Sequence, residues 1–376
     1  MKRELRVGIV GPGFMGRAHS NAYIDVAHFF ELPAVPVMQA ACGTNEKRVR
    51  LFADRFGWKS IETSWEKLVE REDIDVVDIC TSNATHLPIA VSAAKAGKHI
   101  LCEKPVACNA LEARAMFEAA QSAKVIHMVA HNYRRVPAIV LAKKLIDQGK
   151  LGRIYHFNAV YYQDWLVDPQ VPFVWRNDVK ISGSGAHGDM NAHTVDLARF
   201  LVGEVEAVSG AQEIFVKERQ FADGSGKGQV TADDATYFIA HFRQGALGSF
   251  LCTRFATGQK NFLRLEIFGS KGSIKFNLER LDELEYYSTD DQPEEQGYRT
   301  IMVTESTHPY INAWWPPGHI IGWEHTFIHE VRDFLIAVAN HEEVHPDFYD
   351  GLRCQQVLDA VVVSTEEGRW VTIPES

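Results

Sequence analysis

The 376-residue sequence lacks the features that mark several classes of protein. Its six cysteines are scattered without a C-x-x-C pair, so we expect reduced, mostly buried thiols. No apolar run is long enough to span a bilayer, and the N-terminal segment lacks the cleavage pattern of a signal peptide. A net charge of −10 and the absence of a dense basic stripe argue against nucleic acid or an anionic membrane as partner. We therefore expect a cytoplasmic protein.

The chain is too long for one typical hydrophobic core, so it predicts two domains. Residues 1–133 alternate apolar strands with helical segments, which predicts a parallel sheet with helices on both faces. In residues 134–376 the strand-like runs are separated by turn sequences such as "RQGAL" and "GSKGS". Such turns favour antiparallel hairpins. The predicted fold is α/β: a dinucleotide-binding domain followed by an α+β domain with a large, mostly antiparallel sheet.

The segment "VGIVGPGFMGRAHS" contains Gly11, Gly13 and Gly16 in the G-x-G-x-x-G arrangement. The first glycine permits a tight turn, the second lets the backbone approach a pyrophosphate, and the third lets the helix lie close to the strand. The triplet follows a predicted strand and opens a predicted helix, which is the context that makes it informative. It predicts a dinucleotide site, to which we also assign the intervening Phe14 and Met15.

The end of the second predicted strand lacks the acid that often binds the adenosine ribose. Gly43 occupies that position, followed by Thr44 and Asn45, whose side chains can bond ribose hydroxyls. Lys47 and Arg48 are suited to a 2′-phosphate, and they are equally consistent with a solvated helix face. On these residues the choice between NAD and NADP stays open.

The segment "HILCEKPVACNA" places Glu103, Lys104 and Pro105 directly after a predicted buried strand. Ligands of open α/β sheets bind beyond the carboxyl ends of the strands, so Lys104 is a candidate for contacting one. Its ammonium group can donate to a substrate oxygen and favour negative charge on it. The alternative is a surface lysine at the start of a loop.

The segment "GSGAHGDMNAH" leads into a predicted helix in which Asp189 and His193 are four residues apart and share one face. An aspartate beside a histidine can orient the imidazole and adjust its pKa for general-base work. The same aspartate, which follows small residues, also suits the N-cap of the helix. On the segment alone, capping is the favoured interpretation.

Aromatic residues are frequent in the second predicted domain, where most of them belong to the core. In two places they alternate with polar groups, a combination that stacks on a sugar ring and bonds its hydroxyls. The candidate carbohydrate contacts are Gln163, Asp164, Trp165, Trp175 and Arg176.

The sequence "HEEVH" from His341 to His345 matches the H-E-x-x-H pattern of zinc proteases. That pattern requires a helix carrying both histidines, and Pro346 disfavours helix through His345. His325 and His329 share the spacing of a helical pair but have no third ligand placed to complete a site. We predict no metal site.

Four motifs together resemble the Gfo/Idh/MocA family of sugar and cyclitol oxidoreductases: "GPGFMG", "TSNATH", "CEKP" and "GDMNAH". They occur in the family's order and approximate spacing across nearly the whole chain. The resemblance implies a Rossmann domain and a C-terminal domain with an open sheet, through which such proteins pair as homodimers or homotetramers. It implies an NAD-dependent dehydrogenase that oxidises a ring hydroxyl of a sugar, anhydrosugar or inositol, with NADP remaining possible. The alternatives are an NADP-preferring sugar or keto-sugar reductase of the same family and a non-catalytic sugar-sensing regulator on the same fold.

The resemblance also assigns roles to residues. Lys104, Asp189 and His193 match the catalytic trio: His193 takes the hydroxyl proton, Asp189 orients it, and Lys104 positions the same oxygen. Thr81, Asn83, His86 and Glu103 match positions near the cofactor. The full cofactor-binding set is Gly11, Gly13, Phe14, Met15, Gly43, Thr44, Asn45, Arg48, Thr81, Asn83, His86, Glu103, Lys104 and Asn132. The full substrate-binding set is Lys104, Tyr133, Gln163, Asp164, Trp165, Trp175, Arg176, Asp189 and His193.

Overall fold

The computed structural model describes residues 3–375, which form two compact units. The first contains the chain up to Arg135 together with Gly322–Leu352, and the second contains Val136–Ile321 and the chain from Arg353 onward. The sequence placed the whole of 134–376 in one domain. The segment 322–352 instead packs with the first unit, a return of the chain that no local pattern indicates.

The first unit is built on a six-stranded sheet in the order β3-β2-β1-β4-β5-β6. Every strand pair in it is parallel, as predicted. The strand order reverses direction between β1 and β4, which is where ligands of such sheets bind. The strands are β1 (Arg3–Val10), β2 (Ala34–Cys42), β3 (Ser60–Glu62), β4 (Val76–Ile79), β5 (His99–Glu103) and β6 (His127–Ala130). The helices are α1 (Phe14–Phe29), α2 (Glu46–Phe56), α3 (Trp65–Glu70), α4 (His86–Lys95) and α5 (Ala110–Ala123).

The core of the first unit lies between this sheet and its helices. All four residues of β4 are buried, as expected for a strand covered on both faces. One apolar cluster joins Val77 and Ile79 of β4 to Ile89 of α4 and Met116 of α5. The returning segment adds Phe348 to the same cluster.

The second unit is built on a nine-stranded sheet in the order β16-β15-β14-β13-β7-β12-β11-β8-β17, beside a two-stranded ribbon, β9–β10. Its first part comprises α6 (Pro137–Asp147), β7 (Ile154–Tyr162), α7 (Val179–Ser182), α8 (Ala192–Leu201), β8 (Val205–Glu213), β9 (Glu218–Gln220) and β10 (Lys227–Gln229). Its sheet continues with β11 (Ala235–Phe242), β12 (Leu247–Thr253), β13 (Phe262–Gly269), β14 (Gly272–Asn277), β15 (Glu283–Ser288) and β16 (Arg299–Met302). The remaining elements are α9 (Trp323–Asn340), which belongs to the first unit, and α10 (Phe348–Glu367) and β17 (Val371–Thr372) at the end of the chain.

The large sheet is antiparallel except for the pairing of β7 with β12. Both predicted hairpins are confirmed: β11 pairs with β12 across "RQGAL", and β13 pairs with β14 across "GSKGS". Burial alternates along β11 and β13, so one face of the sheet packs on a core and the other is open. Among the described residues, no helix combines the length and hydropathy needed to cross a bilayer.

Candidate active site

The glycine-rich loop joins β1 to α1. Gly11 has a backbone φ of +112°, and a Cβ atom there would lie 2.4 Å from the carbonyl oxygen of Cys80. A Cβ at Gly16 would lie 2.1 Å from the carbonyl oxygen of Gly11, so a side chain would prevent α1 from starting this close to the loop. Gly13 is the N-cap of α1, and the space beside it is open.

The start of α1 fits a pyrophosphate. Its first turn has no acidic residue and no side-chain cap, so its backbone N–H groups and the helix dipole are available to an anion. Phe14 is 58% exposed and stacks on Trp323, with ring centroids 5.5 Å apart. Met15 is half-buried. These residues fit the dinucleotide that the sequence predicts.

The residues after β2 explain the missing acid. A Cβ at Gly43 would lie 2.8 Å from two ring carbons of Pro12, so a larger residue would displace the glycine-rich loop. Thr44, Asn45 and Arg48 are exposed. Asn45 caps α2, because its side-chain oxygen accepts the Arg48 N–H at 3.0 Å. Its ribose contact stays a prediction alongside this helix-capping role.

The loops after β4 and β5 are tied together by His86. Its ring is fully buried, with Nδ1 3.1 Å from the carbonyl oxygen of Pro105 and Nε2 3.3 Å from that of Thr81. Burial lowers the pKa of this histidine, which favours the neutral ring. Thr81 is half-buried and Asn83 is buried in the turn that follows. His86 therefore holds the loop backbones that the sequence assigns to the cofactor.

Residues Asn132 and Tyr133 lie in a short helical turn after β6, and both are buried. The Asn132 side-chain amide donates to the hydroxyl of Thr326 in α9 at 2.8 Å. The turn is thereby joined to the segment that returns to the first unit. Contacts of these two residues with cofactor or substrate stay predictions.

Glu103 ends β5 and is almost fully buried. Its Oε2 accepts the backbone N–H of Lys104 at 3.0 Å, and its Oε1 lies 3.0 Å from Nε2 of His19. The Nδ1 atom of His19 lies 2.9 Å from a carboxylate oxygen of Asp78 in β4. His19 and Asp78 were absent from the sequence-based set. A polar residue on the apolar side of a predicted helix is the signal that points to His19, because a buried polar group needs partners.

In the second unit, the backbone before Asp189 is fixed by Asp233. The two carboxylate oxygens of Asp233 accept the N–H groups of Gly185 at 2.6 Å and His187 at 2.8 Å. A Cβ at Gly185 would lie 1.9 Å from the Asp233 carbonyl oxygen, so this close approach requires glycine. The chain then forms a π-helical turn, His187–Asn191, which runs into α8.

The capping interpretation of Asp189 is wrong. Asp189 lies inside the π-helical turn, and its carboxylate oxygen accepts from Arg254 at 2.8 Å. Arg176 is the second cation at this carboxylate, at 3.8 Å. The Arg254 side chain is 1% exposed, whereas that of Asp189 is 29% exposed. The carboxylate is thus an ion-paired group that solvent can reach.

The same two arginines bring the predicted aromatic residues together. Arg254 lies over the ring of Trp165 at 5.3 Å, and Arg176 lies over the ring of Trp175 at 4.3 Å. Both distances are within the range of cation–π attraction. The sequence did not identify Arg254. Its signal is a charge directly after an apolar strand, but sequence cannot indicate which carboxylate it meets.

His193 lies in the first turn of α8 and is buried, with its ring 6.1 Å from that of Tyr161. The Tyr161 hydroxyl and the Gln163 side-chain amide both donate to the Asn261 side-chain oxygen, at 2.8 and 3.0 Å. The Trp165 indole N–H donates to the Gln163 oxygen at 2.9 Å. Asn261 is thus a member of the cluster that sequence reasoning missed, and Tyr161, in the aromatic run "YYQDW", was not among the predicted contacts.

Two charged residues fix the loop that carries Trp165 and Trp175. Asp164 is bound by Lys260 at 2.7 Å and by the N–H of Gly258, and the Lys260 ammonium holds the pKa of the carboxyl below its usual range. Arg219 is fully buried and donates to main-chain oxygens of the loop. Its acceptors are the carbonyls of Leu166 (2.7 Å), Asp168 (2.9 Å) and Val171 (3.2 Å).

The H-E-x-x-H sequence does not lie on a helix. α9 ends at Asn340, and His341 is its C-cap with a left-handed φ of 58°. The two pattern histidines are therefore not presented on one helical face. Within α9, His329 is fully buried with Nδ1 3.0 Å from the Arg135 carbonyl oxygen, and burial lowers its pKa to about 3. His329 is therefore a structural histidine, and the H-E-x-x-H sequence lies in the loop after α9.

Two family models match the chain. Residues 5–131 match the oxidoreductase family with an NAD-binding Rossmann fold, and residues 139–275 match the GFO/IDH/MocA C-terminal domain. The chain belongs to the Gfo/Idh/MocA family of oxidoreductases. Its first unit is an NAD-binding Rossmann domain, in agreement with the glycine loop and the α1 N-terminus described above.

Characterised Gfo/Idh/MocA proteins resemble the chain over its full length. Levoglucosan dehydrogenase of Pseudarthrobacter phenanthrenivorans is 42% identical, with 99% of each chain covered. Inositol 2-dehydrogenase of Rhizobium meliloti is 27% identical, over 98% of this chain and 99% of the relative.

Solved structures agree with these sequence relations. An oxidoreductase domain protein from Kribbella flavida superposes with a TM-score of 0.97 at 47% identity, covering all of both chains. Levoglucosan dehydrogenase in complex with NADH and levoglucosan superposes with a TM-score of 0.97 at 42% identity, again over the full length of both.

Proposed function

We propose that this chain is an NAD-dependent dehydrogenase that oxidises one ring hydroxyl of a sugar, an anhydrosugar or an inositol to the ketone. The observation that carries the proposal is the cluster in the second unit. It combines the ion-paired carboxylate of Asp189 and the imidazole of His193 with two tryptophan rings held by arginines. Flat rings beside hydrogen-bonding groups suit a polyol ring, whose faces are apolar and whose rim is polar.

The proposed chemistry divides among three residues. His193 takes the proton of the reacting hydroxyl, and the carboxylate of Asp189 favours the imidazolium that results. Lys104 donates to the same oxygen and favours negative charge on it. NAD, when bound, accepts the hydride from the carbon that bears this oxygen. One C–H bond and one O–H bond break, and the C=O bond of the ketone forms.

The preferred substrate class is an anhydrosugar or a pyranose, with inositols as the alternative. A full-length relative at 42% identity is named for levoglucosan, and a relative at 27% identity is named for inositol. Trp165 is more than one-third exposed, so its ring surface is available to a substrate.

The test is purified protein with NAD+ or NADP+ and a panel of levoglucosan, glucose, L-glucose and inositols, followed by NADH absorbance. We expect turnover with NAD+ and a loss of at least about a hundredfold in His193→Ala and Lys104→Ala, as expected for general acid–base groups. His28→Ala, at an exposed histidine near the end of α1, and Lys95→Ala, at the exposed end of α4, are the matched controls. Absence of turnover with every polyol, or unchanged rates in both site variants, contradicts the proposal.

We also propose that the protein is a homodimer or homotetramer joined through the open face of the nine-stranded sheet. Tyr155, Tyr237, Ile239 and Leu247 are exposed on strands of that sheet, and a patch of this kind is typical of an interface. Light scattering at low micromolar concentration tests this. Ile239→Lys should produce monomers, whereas a monomeric wild type contradicts the assembly without touching the proposed chemistry.

A cytoplasmic location is part of the same proposal. None of the six cysteines, all of which lie within residues 3–375, forms a disulfide. Five of them are buried, which suits a reducing compartment. Cell fractionation with an antibody against the protein tests the location.

A further inference from the structure

The first unit contains a buried row of three charged side chains that the proposed chemistry does not use. His19 of α1 lies between Asp78 of β4 and Glu103 of β5, at 2.9 Å and 3.0 Å. The side chains of His19 and Asp78 have no exposure, and that of Glu103 has 5%. Such an arrangement is costly to bury, so it calls for a reason.

Between two ionised carboxylates, the geometry favours a charged ring. A neutral imidazole has one N–H and one lone pair, so it can donate to only one of the two carboxylates. With both nitrogens about 3 Å from a carboxylate oxygen, only the imidazolium donates to both. Burial is the largest single influence and acts to lower the pKa of His19, but the charges and hydrogen bonds of Asp78 and Cys80 together outweigh it, so the pKa is raised well above its usual value.

Glu103 connects this row to the loop that carries Lys104. One of its oxygens faces His19, and the other accepts the Lys104 N–H at 3.0 Å. His19 itself belongs to the helix that begins at the glycine-rich loop. One imidazolium thereby ties the helix of the cofactor loop to the strand end that precedes Lys104.

We propose that His19 is a positioning residue, which with Asp78 orients Glu103 and so fixes the backbone at Lys104 for the proposed reaction. This inference rests on the proposed function for its kinetic part only. His19 lies behind Glu103 and is fully buried, so it acts through that carboxylate.

Several titratable groups face this row from the elements packed against it. Tyr23 lies on α1 itself, Cys80 and Cys102 lie at β4 and β5, and Glu330 faces it from α9. Burial raises the pKa of Tyr23, of both thiols and of Glu330, so all four favour their neutral forms near pH 7. The net charge of the cluster at neutral pH is therefore set by His19 and its two carboxylates.

The test compares His19→Gln and Asp78→Asn with the control His329→Gln, a buried histidine of the same unit that contacts the Arg135 carbonyl instead. We expect kcat to fall about ten- to hundredfold in the first two variants, the cost of a small misplacement near the reacting atoms, with a smaller change in substrate KM. In Asp78→Asn the pKa of His19 should fall below its wild-type value, because the Asp78 charge no longer offsets burial. We therefore also expect kcat of this variant to decline as pH rises through that pKa, a decline that the wild-type pH profile lacks. The control should lose thermal stability and keep the wild-type kcat and pH profile.

A second measurement does not depend on any substrate. NMR of histidine-labelled protein, with His19→Gln for assignment, should show the His19 ring protonated at pH 7 and beyond in the wild type. A neutral ring at pH 7 overturns the inference, even if no polyol is oxidised. Variants that lose only thermal stability while kcat and its pH profile are unchanged also overturn it. A wild type without turnover but with a charged His19 refutes the proposed function and leaves the imidazolium established.

Discussion

The two units surround their buried charges in opposite ways. In the first, one cation, His19, lies between two carboxylates, and the protein encloses the whole row. In the second, one carboxylate, Asp189, lies between two guanidiniums and is partly open to solvent. Among these side chains alone, the first cluster has two carboxylates to one cation inside the fold, and the second has two cations to one carboxylate that is partly accessible.

The difference is that between a scaffold and the proposed site of chemistry. The contacts of the His19 row join elements of the fold to one another, and its atoms are closed to a ligand. Arginine donors beside an accessible carboxylate suit a hydroxyl that gains negative charge as its proton leaves. Exposure and the ratio of cations to carboxylates distinguish the two clusters, although both consist of ion pairs.

We expect the largest effect when Arg254, the buried cation beside the accessible carboxylate of the second unit, is removed. In Arg254→Met, Asp189 loses its 2.8 Å partner, while Arg176 stays at 3.8 Å. We expect kcat/KM to fall by about a hundredfold, because the carboxylate moves away from its working position. Steady-state kinetics measure the loss.

A double-mutant cycle with Asp189→Asn is the control for Arg254→Met. If Arg254 acts through Asp189, the effects of the two changes on kcat/KM are far from additive. Additive effects contradict the role of Arg254, and Arg254→Lys should restore part of the rate because it keeps the charge.

The buried charges of the first unit are tested through the pH dependence of the free energy of unfolding. Both oxygens of Glu330 are buried without a hydrogen-bond partner among the described residues, and burial raises its pKa from 4.5 to about 8. The folded state therefore holds a proton that the unfolded chain releases above pH 4.5. This contribution to stability is present at low pH and is lost between about pH 4.5 and 8.

Glu330→Gln should remove that dependence. Between pH 5 and 8, the free energy of unfolding of the variant minus that of the wild type should increase by up to about 1.4 kcal/mol for each pH unit. Urea unfolding at four pH values measures the difference. Parallel curves for the two proteins mean that Glu330 is already ionised in the folded state.

A smaller effect is expected from a variant that tests whether the second unit contacts the substrate. Trp165→Ala removes a ring that contacts Arg254 and is available for stacking. We expect the sugar KM to rise about tenfold while the Kd for NADH stays the same, since ~1.4 kcal/mol of contact energy is lost. Trp370→Ala is the matched control, because this exposed tryptophan packs on His241. A KM as low as that of the wild type removes Trp165 from the substrate contacts.

The smallest effect is expected at the predicted cofactor loop, where close packing against Pro12, and not charge, excludes a side chain at position 43. Gly43→Ala places a Cβ 2.8 Å from the Pro12 ring and should weaken NADH binding about fivefold, ~1 kcal/mol of overpacking. Pro12→Ala in the same chain should restore most of the affinity. Fluorescence titration with NADH checks both values, and an unchanged Kd in Gly43→Ala shows that the loop yields without cost.

The fold was largely predictable because its signals are local. The helix from Ala110 to Ala123 and the hairpins at "RQGAL" and "GSKGS" follow from periodicity and turn residues over short stretches. The return of 322–352 to the first unit was not predictable, since an amphipathic helix does not specify which core it covers. The π-helical turn at Asp189 was missed for a related reason, because Asp233, far along the chain, holds the backbone before it.

The same distinction divides the site. Gly11, Gly13 and Gly16 were identified because one loop carries the whole pattern; the close approaches at Gly11 and Gly16 agree with that pattern, and the dinucleotide contacts of the loop stay a prediction. Arg254 and Asn261 were missed because each acts through a partner distant in sequence. Spacing along a helix identified Asp189 and His193 as a candidate pair, but only the fold shows that Arg254 forms an ion pair with the Asp189 carboxylate.

The buried Arg219 has a consequence for how this enzyme can change. Its hydrogen bonds to the loop that carries Trp165 and Trp175 all go to main-chain oxygens, which every amino acid possesses. The path of the loop is therefore maintained by a residue outside it whose hydrogen bonds do not depend on the loop's side chains. If this loop contacts the substrate as proposed, substitutions along it can alter which polyol is recognised while its course is retained, so specificity is free to diverge here as long as Arg219 persists.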